Sequence, residues 1–191
     1  MRVVRTIIFL LVCLAMLWFV VLLFTRIFST SNQTTPTAED HLSGYARVGT
    51  TAQFVIDAPI VLDQEHRTLK ISVDSSQSKI ELVSGYDGSV VRQDTFPNTV
   101  ESYGIFLRSL DSLGFTKSKK TSLADERGQC PLQYRFVYRL SDFNRDIYRL
   151  WSTSCGTGNF GGQRSSVRTL FQRQIPQKTY DSYYKTLAQR A

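Results

Sequence analysis

The sequence contains few of the side chains that bind metals. It has two histidines, His41 and His66, and three cysteines among 191 residues. A structural zinc site needs about four nitrogen or sulfur ligands at short spacings, and the two histidines lie far in sequence from each other and from the cysteines. The shortage of ligands argues against a metal centre, and no cofactor is expected.

The sequence also lacks a recognisable set of catalytic residues. His66 stands in the polar run DQEHR, which favours a solvated loop residue over a general base. Two pairs of nearby acids, Asp125 with Glu126 and Asp142 with Asp146, fall in a predicted loop and a predicted turn, where carboxylates usually serve solvation and turn formation. We therefore expect a protein without enzymatic activity.

One stretch near the N-terminus almost lacks charge. Residues 6–28 read TIIFLLVCLAMLWFVVLLFTRIF, with Arg26 as the only charged side chain. About 20 apolar residues cross the ~30 Å hydrocarbon core of a bilayer as a helix, so this stretch predicts a transmembrane anchor. A cleaved signal peptide is the alternative, but its apolar region usually has about 7 to 15 residues and ends at an A-x-A-like site.

The charges that flank this stretch predict its orientation. Arg2 and Arg5 precede it, whereas the acids Glu39 and Asp40 follow the polar residues after it. Positively charged flanks tend to stay in the cytoplasm. Residues 1–5 are therefore predicted to be a cytoplasmic tip, and the C-terminal part of this single-pass protein is predicted to lie outside the cell.

The chain after the anchor divides into a linker and one domain. Residues 29–43 are rich in Ser, Thr, Asn and Gln and bury too little apolar surface to fold by themselves. Residues 44–191 are long enough for one domain with its own core. We expect this extracytoplasmic domain to be the functional part of the protein.

Charge is unevenly distributed along that part. Residues 29–114 hold six basic and eleven acidic side chains, a net charge of −5, whereas residues 115–191 hold fourteen and five, a net charge of +9. A basic surface attracts anionic partners. This favours a tethered binding module for an anionic surface polymer, a lipid headgroup or an envelope protein, with nucleic acid left open as a partner. A structural subunit of a cell-envelope or pilin-like assembly is the alternative.

Cysteine usage agrees with an extracytoplasmic domain. Cys13 lies within the apolar stretch, where it serves as a small apolar residue. Cys130 and Cys155 are the two remaining cysteines, and an even pair in an oxidising compartment predicts a disulfide bond. Two free buried thiols are the alternative.

Alternation and turn signals predict a β-meander followed by a helix. Apolar residues alternate with polar ones in short runs over residues 48–93, and Asp87-Gly88 suits a tight hairpin. Asn98 is predicted to cap a helix with an apolar stripe at intervals of three and four, and Gly114 to end it. A short strand is then expected to begin at Phe115.

A second hairpin, residues 132–140 and 145–154, is predicted to carry a cationic face. A turn centred near Phe143 sets Arg135 opposite Trp151 and Val137 opposite Arg149, and a bulge near Pro131 brings the two cysteines together. The candidate anion-binding residues on this face are Arg135, Arg139, Arg145 and Arg149. The alternative is that a helix covers this face and the arginine heads meet water or acids.

Three glycines follow this hairpin. Gly156, Gly158 and Gly161 match G-x-G-x-x-G, with Asp181 twenty residues further on, as in dinucleotide-binding proteins. The absence of a second parallel strand, the extracytoplasmic location and the adjacent cysteine argue against a nucleotide site. The preferred interpretation is a sharp turn that sends Phe160 into the core.

Two helices are predicted at the C-terminus, over residues 165–174 and 177–188. The free N–H groups that begin the first helix, with Arg164 and Arg168 nearby, form a further candidate site for a phosphate or carboxylate. The expected fold is α+β, an antiparallel sheet of six or seven strands with helices on one face.

Three segments of the last third of the chain carry a resemblance. RGQCPLQYRFVYRL, LWSTSCGTGNFGG and LFQRQIPQKTY are similar to a pattern in small uncharacterised membrane-anchored proteins of episymbiotic bacteria of the candidate phyla radiation. The resemblance implies an anchored extracytoplasmic protein. It carries over neither an activity nor a catalytic residue.

Overall fold

The computed structural model describes residues 16, 18, 42–143 and 145–189. The chain separates into two units, residues 1–39 and residues 40–191. The predicted transmembrane helix and most of the predicted linker lie outside the described residues. Met16 and Trp18 are helical and exposed, and no helix within the described ranges is both long enough and apolar enough to cross a membrane.

The described part of the second unit contains one short 3-10 helix, six strands and three α-helices. The 3-10 helix is Leu42–Tyr45. The strands are β1 (Thr50–Asp57), β2 (Arg67–Asp74), β3 (Gln77–Ser84), β4 (Ser89–Pro97), β5 (Arg135–Asp142) and β6 (Arg145–Thr153). The α-helices are α1 (Val100–Ser112), α2 (Arg164–Gln172) and α3 (Gln177–Ala188).

The strands form a single antiparallel sheet in the order β4-β3-β2-β1-β5-β6. The predicted α+β class is confirmed, with the lower of the two expected strand numbers. The strand expected at Phe115 does not form within the described residues. Ser118 makes only an isolated bridge to Phe160 there.

One face of the sheet carries the hydrophobic core. Alternate residues of β1 are buried, and Ala52, Phe54 and Ile56 pack with the apolar side chains of the three helices. Leu42, which the sequence places in the linker, is fully buried in the same core. The folded unit therefore begins before Gly44, since burial of one leucine side chain stabilises by ~1.5–3 kcal/mol.

The start of α1 differs by one residue from the sequence prediction. Thr99, and not Asn98, is the N-cap, and its hydroxyl accepts a hydrogen bond from the Ser102 amide at 3.1 Å. Asn98 instead donates its side-chain amide to the Asp74 carbonyl at 2.7 Å. The predicted end is confirmed, since Gly114 has a φ of 73° and follows the last helical turn.

The register of the β5–β6 hairpin differs from the prediction. Arg135 lies opposite Thr153 and Val137 opposite Trp151, two residues away from the expected partners. One residue of the shift comes from the turn, where Asp142 pairs with Arg145, and the other comes from a bulge between Leu140 and Ser141 that adds one residue to β6. The expected bulge near Pro131 is not needed, since that proline lies before the start of β5. The predicted faces survive from Arg135 to Leu140, because both registers pair residues of the same parity there. Beyond the bulge Arg145 pairs with Asp142, so it lies on the opposite face from the one predicted.

The glycine-rich segment after β6 serves the turn that the sequence predicts. Gly158 has a φ of 132°, and a Cβ atom there would lie 2.4 Å from the Trp151 carbonyl oxygen. Phe160 is buried and stacks on Tyr138 with ring centroids 3.9 Å apart. The described sheet contains no parallel strand pair, so the glycine motif does not belong to a dinucleotide-binding fold.

Candidate functional site

Three of the four hairpin arginines are held by carboxylates and do not form an open cationic surface. Arg139 Nε lies 3.3 Å from Asp146 Oδ1, and Arg149 Nη2 donates to Glu126 Oε1. The Arg135 side chain is only 3% exposed and pairs with Asp57. Arg145 is the member of the set that is exposed.

A loop covers the apolar part of this face. Glu126, on the loop between α1 and β5, is buried and forms an ion pair with Arg149. Pro131 of the same loop accepts a hydrogen bond from the Ile60 amide at 2.7 Å. Val137 and Trp151, on the face of the hairpin that this loop faces, are buried. The sequence left open that another element covers this face of the β5–β6 hairpin. This is what the structure shows, although the covering element is a loop and not a helix.

The disulfide bond fixes this loop to the sheet. Cys130 and Cys155 are joined with their Cα atoms 5.9 Å apart, as the sequence predicts. Cys155 lies two residues beyond the end of β6, and Cys130 has a φ of 49°. Because left-handed backbone is unfavourable for a residue with a side chain, the bond helps to hold the loop in a conformation that the free chain would rarely adopt.

A buried charge network lies where β1 and β5 meet. The Asp57 carboxylate contacts His66 Nε2 at 2.8 Å through Oδ1 and Arg135 Nη2 at 2.7 Å through Oδ2. Thr68 donates to Asp57 Oδ1 at 2.9 Å, and Arg135 Nη2 also donates to the Ala58 carbonyl at 2.6 Å. Burial acts to raise the pKa of Asp57, but hydrogen bonding to His66 and the Arg135 charge outweigh it and lower that pKa. The carboxylate therefore stays ionised.

His66 is a buried member of this network, and its interpretation as a solvated loop residue is wrong. Its side chain is 3% exposed and stacks on Tyr86, with ring centroids 4.1 Å apart. Nδ1 lies 3.2 Å from the Pro59 carbonyl, on the side opposite the Asp57 contact. Both ring nitrogens thus face acceptor oxygens. Thr68 Oγ1 lies 3.4 Å from His66 Nε2 and donates its hydrogen bond to Asp57 Oδ1, so its hydroxyl belongs to the same network.

A different pair of arginines shares an open groove. Arg164 and Arg168 lie four residues apart on α2 and line a groove of about 680 Å³ between that helix and the ends of β5 and β6. Residues four apart lie on the same face of a helix. The residues that line the groove are Phe54, Phe136, Tyr138, Thr153, Ser154, Arg164, Ser165, Arg168, Thr169 and Gln172. We call this the arginine groove.

Both arginines are positioned by neutral partners. Arg164 Nη1 donates to the Thr153 carbonyl at 3.2 Å. The guanidinium of Arg168 lies 5.1 Å from the centre of the Tyr184 ring. Burial acts to lower the pKa of Arg168, but hydrogen bonds with the hydroxyls of Tyr184 and Tyr180 outweigh it and raise that pKa. Neither arginine forms an ion pair within the described part of the chain, so both charges are available to a ligand.

The groove suits an anion chemically. Guanidinium groups bind phosphate and carboxylate through paired, charge-assisted hydrogen bonds, and the hydroxyls of Ser165 and Thr169 can donate further ones. The lining residues that the structure describes include no carboxylate. The first turn of α2 adds backbone N–H groups, since Gln163 makes no side-chain cap there.

The opposite face of the sheet offers a second, mixed groove of about 490 Å³. Its charges compensate each other, because Lys79 lies 3.1 Å from Glu81 and Arg139 pairs with Asp146. Gln53 donates to the Ser72 hydroxyl at 3.0 Å across β1 and β2. Since these groups already have partners, this groove has less unsatisfied charge to offer a ligand than the arginine groove has.

The geometry defines a disulfide-bonded α+β domain with a two-arginine groove beside an antiparallel sheet. Comparison with protein-family models, with curated protein sequences and with solved structures found no match to this chain. The function is therefore argued from the groove itself. The sequence indicates Arg164 and Arg168 as candidates, but the residues contributed by β1, β5 and β6 carry no local signal and become apparent only when the sheet is assembled.

Proposed function

We propose that this protein is a membrane-anchored extracytoplasmic binding module that holds anionic groups of an envelope polymer in the arginine groove. One observation supports the proposal above the others. Arg164 and Arg168 line the same groove, without a carboxylate among the described lining residues, whereas three of the hairpin arginines are neutralised by acids. A phosphate or carboxylate group is the chemistry that two such guanidinium groups recognise.

Substitution of either groove arginine is expected to weaken binding of anionic polymer. A hydrogen bond to a charged group contributes ~1.5–3 kcal/mol, so Arg164→Gln and Arg168→Gln should each reduce the affinity about tenfold or more. Binding of the full chain, in neutral detergent micelles, to immobilised polyphosphate is the measurement. It should be repeated between low and moderate salt, because each lost contact also flattens the salt dependence.

Arg173→Gln is the matched control. Arg173 is exposed just beyond the end of α2. It does not line the arginine groove, although it shares a neighbouring pocket with Ser165 and Thr169, so its loss removes one nearby charge but neither groove arginine. Equal weakening by Arg173→Gln and Arg164→Gln would mean that only net charge matters. Absence of polyphosphate binding at low salt would exclude a polyanion site at this groove.

The anchored part of the proposal has a separate test. The flanking charges Arg2 and Arg5 favour an N-terminus in the cytoplasm. A tag fused after Ala191 should therefore be cleaved by protease added to intact cells, while a tag before Met1 should be protected. Protection of the C-terminal tag would contradict the orientation, and a soluble protein that begins near Ser31 would show that the apolar stretch is a cleaved signal.

A further inference from the structure

The two edge strands of the sheet, β6 and β4, differ in whether their outer backbone groups already have hydrogen-bond partners. Residues 157–160 close the edge at β6, where the Trp151 amide donates to Asn159 Oδ1 at 2.7 Å and the Trp151 carbonyl accepts from the Phe160 amide at 2.9 Å. Ser152 and Gly158 form a β-bridge beside them. An added strand therefore finds the backbone groups of β6 from Trp151 to Thr153 already occupied.

The edge at β4 is open. Within the described ranges, β4 pairs with β3 and with no other segment. The first five residues of β4 are exposed, and they include Val90 and Val91 with 51% and 56% of their surface accessible. Exposed edge strands present unpaired N–H and C=O groups that can accept another strand.

The sequence of β4 is complementary to itself. In the run SVVRQDTFP, Arg92 and Asp94 flank Gln93. If two copies of β4 lie antiparallel with Gln93 opposite Gln93, each Arg92 lies opposite Asp94 of the other copy, and Val91 lies opposite Thr95. Directly opposite residues of antiparallel strands point to the same face, so the two charge pairs form on one side. We propose that two copies of this chain associate through β4, centred on Gln93.

The side chains that this pairing uses are already held in place. Arg92 lies 4.1 Å from the centre of the Tyr183 ring, and Tyr183 donates its hydroxyl to Asp94 Oδ2 at 2.8 Å. Arg92 and Asp94 are 3.7 Å apart, with 45% and 43% of their side-chain surfaces exposed. Because their positions are restricted before association, less rotamer entropy is lost when the second copy binds.

The bulge in β4 limits the length of the shared ladder. The register of β4 against β3 shifts between Leu82 and Val83, which leaves Val91 without a direct partner on β3. The regular part of β4 therefore begins at Arg92, and an association centred on Gln93 uses a few residues from each copy. Such a contact is weak in solution and gains strength when both copies are tethered to one surface, because tethering raises their effective concentration.

Cross-linking at the centre of the contact tests the proposal. In a Cys13→Ala background, Gln93→Cys should form a disulfide-linked dimer of the full chain in membranes under mild oxidation. Directly opposite Cα atoms in an antiparallel pair are ~4.5–5.5 Å apart, which lies within the range that a disulfide spans. Lys119→Cys, an exposed position away from β4, is the matched control. No dimer from Gln93→Cys, or equal dimer from Lys119→Cys, would overturn the proposal.

Charge reversal tests the register. Arg92→Asp makes both positions acidic and Asp94→Arg makes both basic, so each variant in the Gln93→Cys background should cross-link about tenfold less than the parent. When the two variants are co-expressed with different tags, opposite charges face each other again, and the mixed dimer should return to the parental level. Cross-linking of either variant alone at the parental level, or a mixture that forms no more dimer than its components, would exclude pairing centred on Gln93.

Discussion

Asp57→Ala is expected to lower the free energy of unfolding by about 3–5 kcal/mol, because removing one partner of a buried ion pair leaves the other charge uncompensated. The stranded group is Arg135, whose side chain is 3% exposed. Urea unfolding of the full chain in micelles measures the effect. A Trp18→Phe background leaves Trp151, which is fully buried, as the only tryptophan whose emission reports on the domain.

Two controls separate the network from a general effect of losing an acid. Asp181→Ala removes an exposed carboxylate that contacts only Gln177 among the described hydrogen bonds, and should change stability by less than about 0.5 kcal/mol. The double variant Asp57→Ala with Arg135→Met removes the stranded charge and should be more stable than Asp57→Ala alone. Equal stability of the double and single variants would show that the Arg135 charge is not the cause.

Acid should destabilise the parent protein through the same carboxylate. The pKa of Asp57 is lowered from 3.8 in the folded protein, so the folded state favours the ionised form. Its contribution to stability is therefore complete above the unfolded-state pKa and is lost as pH falls through the folded-state pKa. Stability of the parent should fall more steeply below about pH 4 than stability of Asp57→Ala.

Loss of the disulfide bond is expected to have an effect of comparable size. The bond closes a loop with a sequence separation of 25 residues, and the chain-entropy model gives about 3.5 kcal/mol for such a loop. Cys155→Ser should therefore lower the midpoint of thermal unfolding by about 10 °C for a domain of this size. Circular dichroism of the full chain in micelles, with and without reductant, measures the shift.

The third cysteine provides the control for the disulfide bond. Cys13→Ala should leave the midpoint unchanged, and reductant should bring the parent to the level of Cys155→Ser without affecting that variant. Cys130 and Cys155 should also resist alkylation until they are reduced. Alkylation of both thiols in the native oxidised protein, or a midpoint that reductant does not move, would contradict a stabilising bond.

Local patterns account for the parts of the fold that the sequence predicts. The period of the apolar residues gives the strands and helices, and Gly114 ends α1 because glycine adopts its φ of 73° easily. The register of β5 and β6 differs by two residues from the one that the sequence predicts, because the turn position and the bulge depend on packing and not on the alternation of residues. Val137 and Arg149 nevertheless lie on their predicted face, because a register shift of two residues does not change which side chains share a face.

Contacts between distant residues account for what the sequence does not predict. Asp57 and Arg135 are 78 residues apart, and their pairing follows only once β1 is placed beside β5. The polar neighbours of His66 in sequence predict a solvated residue, whereas its stacking on Tyr86 depends on a residue twenty positions further along the chain. In the arginine groove, the sequence predicts that the basic residues of α2 lie near each other. It does not predict which strand residues lie beside them and complete the groove.

The central position of β1 determines how the domain responds to a pull on its N-terminal side. Tension transmitted along the chain before Thr50 enters the sheet through β1, which is hydrogen-bonded to β2 on one side and to β5 on the other. Ladder hydrogen bonds lie perpendicular to the strands, so a pull along β1 shears both ladders at once and does not open them one bond at a time. A sheet that the chain enters through a middle strand is therefore built to resist mechanical extraction.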